Sequence, residues 1–201
     1  MLSRLIAAAL LVPTVVITPN PTKAAPAVWN IDKTHSNVSF QIRHFVSKVP
    51  GRFKEYKGTV TGDPEAWQNA QIDVEIVASS ISTNNDQRDA HLKSNDFFAA
   101  DSFPTIIFKS SRIERSGDDA KIYGSLTIRG VTRAVVLTGS FNGIQKSAQG
   151  DRFGFDATTT VNRMDYGVKW NRAAEGGGVM LGDDVKIEIN VEAVRATSGS
   201  R

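Results

Sequence analysis

Hydrophobic and polar residues alternate one by one along most of this chain. Val38, Phe40, Ile42, His44 and Val46 fall on one side of the run from 38 to 46. Ile72, Val74, Ile76 and Ala78 do the same, with Asp73 and Glu75 opposite. Further such sets are Ile122, Gly124, Leu126 and Ile128; Val135, Leu137, Gly139 and Phe141; and Phe153, Phe155, Ala157, Thr159 and Val161. The last run sets Val185, Ile187, Ile189, Val191 and Ala193 against Lys186, Glu188, Asn190 and Glu192. A period of two puts successive side chains on opposite faces of a strand, so each run predicts a strand with one dry and one wet face, as in antiparallel sheet. Lys54–Gly62 and Thr105–Ile113 bring the expectation to about eight strands.

Turn-forming residues separate these runs: Gly62-Asp-Pro64, Ser116-Gly-Asp-Asp119, Gly130, Asn142-Gly143 and Gly150. Short connections between consecutive strands predict an up-and-down meander. Eight long strands with one apolar face can close as a barrel, which removes exposed edges, or pack as a sandwich. The pattern alone is compatible with both. An eight-stranded barrel has an interior filled by side chains or by one small ligand. Two stretches break the alternation. Asn85–Asp96 reads as a short helix or turn, and Arg163–Asp184, with Trp170 and Gly176-Gly-Gly178, reads as a long irregular loop able to cap one end.

Charge changes the picture only briefly. The 201 residues carry 24 Lys+Arg and 21 Asp+Glu, a formal +3 that suggests anionic partners. Two of those charges, Arg4 and Lys23, lie in the first 24 residues, where no acid stands, so the remainder carries only +1. That near-neutral remainder, with no basic stripe interleaved with aromatics, argues against nucleic acid. Residues 1–24 read as a secretory signal. Arg4 is followed by the apolar Leu5–Ile17, then by a polar segment offering cleavage after Ala24 or as late as Ala27. Thirteen residues with an internal proline are too few for a membrane span, which needs roughly 20. The remainder is expected to be one exported domain. The chain has no cysteine, which excludes disulfides, a lipid-anchored cysteine, a Cys nucleophile and thiolate metal sites.

Little catalytic chemistry presents itself. The three histidines, His35, His44 and His91, have spacings that match no metal-ligand motif. Asp32, His35 and Ser36 are neighbours in a turn, and no G-x-S-x-G elbow accompanies them. Arg88 and His91 would share a helix face and could grip an anionic or carbonyl oxygen, or simply lie on a solvated surface. Arg163 could face a ligand or pair with Asp165.

Taken in order, several segments resemble the YceI-like family of bacterial exported, polyisoprenoid-binding proteins. They begin with Trp29-x-Ile-Asp32, His35-Ser36, Phe40, Arg43-His44, Gly51-x-Phe53 and Gly58. Ser80-Ile-x-Thr83, Arg88-Asp-x-His-Leu92, Asp96-Phe-Phe98, Pro104, Phe108 and Ser110 follow. The series ends with Gly124-x-Leu-Thr-Ile-x-Gly-Val-Thr132, Arg152-x-Gly-Phe155 and Asn162-Arg-x-Asp-Tyr-Gly167, where Tyr166 replaces a more usual Phe. The resemblance covers residues 28–195 and implies an all-β, eight-stranded antiparallel lipocalin-like barrel with a short helix and a long capping loop, exported to the periplasm. It implies a non-enzymatic protein, needing no cofactor or metal, that sequesters or transports a polyprenyl phosphate or quinone-type lipid. On that expectation Phe40, Ile42, Val74, Ile76, Phe108, Leu126, Ile128, Leu137, Phe141, Phe155 and Ile189 line the cavity. His35, Arg88, His91 and Arg163 form its polar mouth. Transient membrane contact and a homodimer complete the expected partners. The alternatives are a redox or enzymatic accessory acting on a quinone, and a stress-response protein whose interior holds no lipid.

Overall fold

The computed structural model describes residues 26–63, 66–173 and 177–196. The expected export segment, residues 1–24, lies outside the described residues, as do Pro64 of the first predicted turn and Gly176 of the glycine run.

Eleven strands make one antiparallel sheet: β1 (Val28–Ile31), β2 (Asn37–His44), β3 (Ser47–Phe53), β4 (Tyr56–Thr61), β5 (Gln71–Val77), β6 (Ile81–Ser82), β7 (Thr105–Ser116), β8 (Asp119–Ile128), β9 (Val131–Gln145), β10 (Arg152–Asn162) and β11 (Leu181–Arg195). β11 closes the ring. Its last residues pair with β1, through Trp29↔Arg195 and Ile31↔Ala193, and its earlier ones pair with β2, through Ile187↔Phe40 and Ile189↔Val38. β1 and β2 are therefore two halves of one stave, broken by a 3-10 turn over Lys33–His35 that the Asp32 carboxylate caps by accepting from Thr34 N at 2.9 Å. β3 and β4 form a second stave, and β5 and β6 a third interrupted by the 3-10 turn Ala78–Ser80. With β7 to β11 this gives the expected closed barrel of eight staves, each beside its neighbours in sequence.

Three expectations are corrected in detail. Val46 does not share the inward face of β2. It sits fully exposed at the tip of the two-residue β2–β3 hairpin, because the strand ends at His44, which pairs with Ser47. Asn142-Gly143 is not a turn but a bulge inside β9. Gly154 pairs with Gly143 and Phe155 with Phe141, so Asn142 is the extra residue, and Gly143 supplies the positive φ of 108° that the kink demands. Lys54 and Glu55 fall in the break before β4.

The helix α1 (Asp86–Lys93) crosses one end of the barrel. Asn85 caps it by accepting from Arg88 N at 2.9 Å, and Asp86 and Asp89 occupy the electropositive first turn. Asp89 is buried and accepts from both the backbone N–H and the hydroxyl of Thr83, which ties this polar helix to β6. After β10 the chain makes a 3-10 turn over Arg163–Tyr166, capped by Asn162, and returns through a strap closed by an Ala173↔Val179 bridge. At the opposite end Trp67 packs edge-on against Phe141 and Phe153, and Phe153 against Trp29.

Candidate functional site

The inward faces of the staves do not meet. They surround a cavity of about 640 Å³ that runs the length of the barrel. Its wall is the alternating apolar face read from the sequence. Val38, Phe40 and Ile42 come from β2, Val74 and Ile76 from β5, Leu137 and Phe141 from β9, and Ile187, Ile189 and Val191 from β11. All eleven residues expected to line the cavity do line it. Glycine placement keeps the wall close. A Cβ at Gly51 would stand 2.3 Å from the Phe40 ring, and one at Gly124 2.7 Å from that of Phe108, so each glycine makes room for an aromatic liner on the neighbouring strand.

Polar groups reach the cavity at its ends. Thr83 and Asn85 approach from the connection between β6 and α1, and Gln87, Arg88 and His91 from α1 itself. Asn85, Gln87 and Arg88 are also exposed to solvent, so the tube meets water there. The strap adds Arg163, Tyr166, Val168, Trp170 and Met180, and β2 ends beside them at His44. At the far end Arg115 and Asp118, on the β7–β8 turn, stand near the Trp67–Phe141–Phe153 cluster.

The four residues expected at the mouth separate into three situations. Arg88 and His91 lie together on α1 and line the cavity. Arg88 gives Nε and Nη2 to Thr83, at 2.7 Å from its hydroxyl and 2.9 Å from its carbonyl, and its Nη1 makes no hydrogen bond to another described residue. Asp89, beside it, pairs with Thr83 rather than with Arg88. The His91 ring is wedged edge-to-face against Phe97 and Trp170, each with centroids at 5.0 Å, and Nε2 lies 2.8 Å from the Asp96 carboxylate. Arg163 lines the cavity but is 5% exposed, and its donors are committed: Nε to Gly182 O, Nη1 to Val168 O and Trp170 O, and Nη2 to Asp183 at 3.3 Å. Its ion partner is Asp183, not Asp165. Burial pushes its pKa down, and the Asp183 charge opposes that shift. Arg163 is thus the staple that folds the strap.

His35 stands apart. It is exposed, is not among the cavity-lining residues, and bonds the Asp32 carboxylate at 2.9 Å. Arg152 Nη1 bridges the carboxylates of Asp32 and Glu192, so the four groups tie the break between β1 and β2 to β10 and β11. The hydrogen bond from His35, helped by those from Thr34 and Arg152, holds the Asp32 carboxyl down to about 2. The same contact raises the His35 imidazole above its usual 6.5. Asp32, His35 and Glu192 bring ligand atoms within 4.8 Å of one another, but Arg152, set between the two carboxylates, already pairs with both.

Sequence reasoning missed Trp67 as the floor and Thr83, Asn85, Gln87 and Trp170 as mouth residues. Only Asn85 carried a local signal, since it is a helix cap two residues before the Gln87-Arg88 pair. The position of Trp67 depends on a 3-10 turn (Trp67–Asn69) folding across the barrel end, which no periodicity announces.

Residues 29–193 match the model of the YceI-like domain. A UPF0312 protein of Staphylococcus aureus is 41% identical over 167 residues, covering 82% of this chain and 95% of that protein. The crystal structure of a Campylobacter jejuni YCEI protein, 30% identical, superposes with a TM-score of 0.68 over 77% of this chain and 90% of its own. A polyisoprenoid-binding domain from Saccharophagus degradans, implicated in plant cell wall breakdown, covers 84% of this chain and 98% of its own, with a TM-score of 0.64 at 13% identity, which establishes a shared fold. With the closed eight-stave barrel, this match over most of the chain places the protein in the YceI-like family.

Proposed function

We propose that the protein binds a long isoprenoid lipid, of polyprenyl phosphate or quinone type, in the barrel interior, and sequesters or carries it through an aqueous compartment. One observation carries this reading: a tube of about 640 Å³ walled chiefly by aliphatic and phenyl groups, with its charged side chains at the two ends. The volume falls within the usual range of ligand pockets, about 300–1,000 Å³. Each methylene taken from water into such a wall is worth roughly 0.8 kcal/mol, so a chain of about ten buried carbons gains on the order of 8 kcal/mol without any covalent step. Branched isoprene units suit a tube lined by Val, Ile, Leu and Phe. Arg88 and His91, at the wet end, are the groups we assign to the head group, through the uncommitted Arg88 Nη1. The same-fold domain of Saccharophagus degradans, described as polyisoprenoid-binding, supports the ligand class.

In this reading the protein is a binder and not an enzyme, exported by residues 1–24 to the periplasm. The deciding experiment is lipid extraction and mass spectrometry of the purified protein, with intact-mass determination of its N-terminus. A co-purified polyprenyl or quinone species and a chain beginning near residue 25 or 28 are expected. A protein that arrives empty and also takes up no added polyprenyl phosphate or quinone would sink the reading.

A further inference from the structure

We propose that the β2–β3 hairpin docks the wet end of the barrel on an anionic lipid bilayer, with Phe45 and Val46 entering the boundary between head groups and acyl chains. This rests on the lipid-carrier reading for its purpose, though not for its evidence. The hairpin closes in two residues, because His44 pairs directly with Ser47. Its first loop residue has a positive φ, a position that favours glycine or asparagine. The chain places Phe45 there, at φ 50°, and follows it with Val46, fully exposed. The left-handed backbone is strained for an aromatic in any surroundings, and the tip it shapes leaves Val46 wholly and Phe45 partly in water.

The tip belongs to a larger rim. Phe45 N donates to Met180 O at 2.8 Å, which sets the hairpin against the strap, where Val179 is 45% exposed. Three apolar side chains from two connections thus stand beside His44, Met180 and Leu181, all of which line the cavity. The cations nearest them are Arg43 and Lys48, which pair with each other one step below the tip, and the exposed Lys169 and Arg172 of the strap. Among the described residues the nearby acids are Asp165 on the strap and Asp183 and Asp184 in the bulge beside Arg43, with Asp183 already paired with Arg163, and the sequence adds Glu175 between the two ends of the strap. Exposed apolar side chains flanked by Lys and Arg on the hairpin and the strap match the interface of an anionic membrane, where cations meet phosphates and the apolar tip leaves water. Docked this way, the mouth lies against the bilayer, and a lipid can pass between membrane and barrel without crossing open water.

The test uses the protein as recovered from the cell, its N-terminus fixed by intact mass. Sedimentation is measured with vesicles of phosphatidylglycerol mixed equally with phosphatidylcholine, and with vesicles of phosphatidylcholine alone. The wild type is expected to bind the anionic vesicles and to weaken about tenfold as salt is raised to 0.5 M. Phe45→Asn with Val46→Ser removes the apolar tip while giving the positive-φ position a residue that accepts it. That variant should keep its melting temperature, take up geranylgeraniol from detergent solution as the wild type does, and lose vesicle affinity about tenfold. Lys48→Gln with Arg172→Gln should lose the preference for anionic vesicles. The proposal is overturned if the wild type ignores both vesicles, or if the tip variant binds them as well as the wild type. It is equally overturned if the tip drives only self-association in sedimentation velocity, which would assign the surface to a second copy. A protein that docks through this tip but takes up no geranylgeraniol would sustain the docking and remove the carrier reading instead.

Discussion

Arg88 and Arg163 bring the same guanidinium to the same end of the cavity, and their surroundings give them opposite work. Arg163 is buried and satisfies three backbone carbonyls of the strap and of β11. Methionine there would keep the apolar volume but leave those acceptors without donors. Buried unsatisfied groups cost about 1–3 kcal/mol each, so with some relaxation Arg163→Met is expected to lose about 3 kcal/mol. For a chain of this size that lowers the midpoint by about 6–12 °C, readable by calorimetry. Arg88 holds only Thr83 and faces solvent. Arg88→Ala should leave the midpoint within a few degrees and weaken a polyprenyl phosphate by roughly tenfold, the worth of one charge-assisted bond, while the matching alcohol changes little. Equal losses for both probes, measured by fluorescence competition, would remove Arg88 from the head-group site. Nothing in the sequence separates these two arginines. Each sits near an acid on an irregular segment, and only the path of the strap decides which is buried.

At the scale of elements, what was legible follows from physical period. Strands whose two faces see different media must alternate, and β2, β5 and β8 to β11 could therefore be read from that period, although the expected inward set of β2 overran the strand to take in Val46. β1 escaped because four residues are too few to display a period, and β6 because two are fewer still. β3 escaped because Pro50 and Gly51 interrupt it. The breaks within staves were invisible for another reason. They are set by side-chain capping, as at Asp32, and by sheet coiling, not by hydrophobicity. Asn142-Gly143 carried a genuine turn signal, but the strand's pairing with β10 absorbed it as a bulge. Gly139 marks a close approach of β9 and β10, where a Cβ would lie 1.8 Å from the Asp156 carbonyl oxygen. No side-chain rearrangement relieves a clash with backbone. Gly139→Ala should force β9 from β10 and cost about 3 kcal/mol or more, visible in denaturant midpoints. Gly117→Ala is the useful contrast. It has open space around its Cβ position but a φ of 62°, so its cost is confined to the left-handed backbone, about 1–2 kcal/mol. Similar losses at the two sites would mean that the close approach of β9 and β10 is not a constraint of the fold.

The whole molecule carries an energetic oddity that bears on function. Globular interiors are close-packed, and apolar void costs about 24 cal/mol per Å³ in cavity-forming variants. Applied to about 640 Å³, that figure is on the order of 15 kcal/mol, as large as the entire stability of an ordinary domain. A chain that needed only a core would gain by filling the space, and the inward strand positions would accept larger residues. The tube is better understood as volume kept open for a guest that restores the missing contacts. Ile189 tests this. It lies on β11 opposite Ala157 and Val38, lines the cavity, and is only partly buried. Ile189→Trp should place the indole in the void. Delipidated protein should then melt at the wild-type temperature or above, while co-purified lipid falls to a small fraction of the wild-type amount. Adding geranylgeraniol should raise the wild-type midpoint, since a ligand at one hundred times its dissociation constant stabilises by about 2.7 kcal/mol, and leave the variant unmoved. If the interior were simply core, the same substitution would overpack it, costing about 1–3 kcal/mol with no change in lipid content. The two accounts thus predict opposite signs for the shift in midpoint, and one pair of melting curves decides between them.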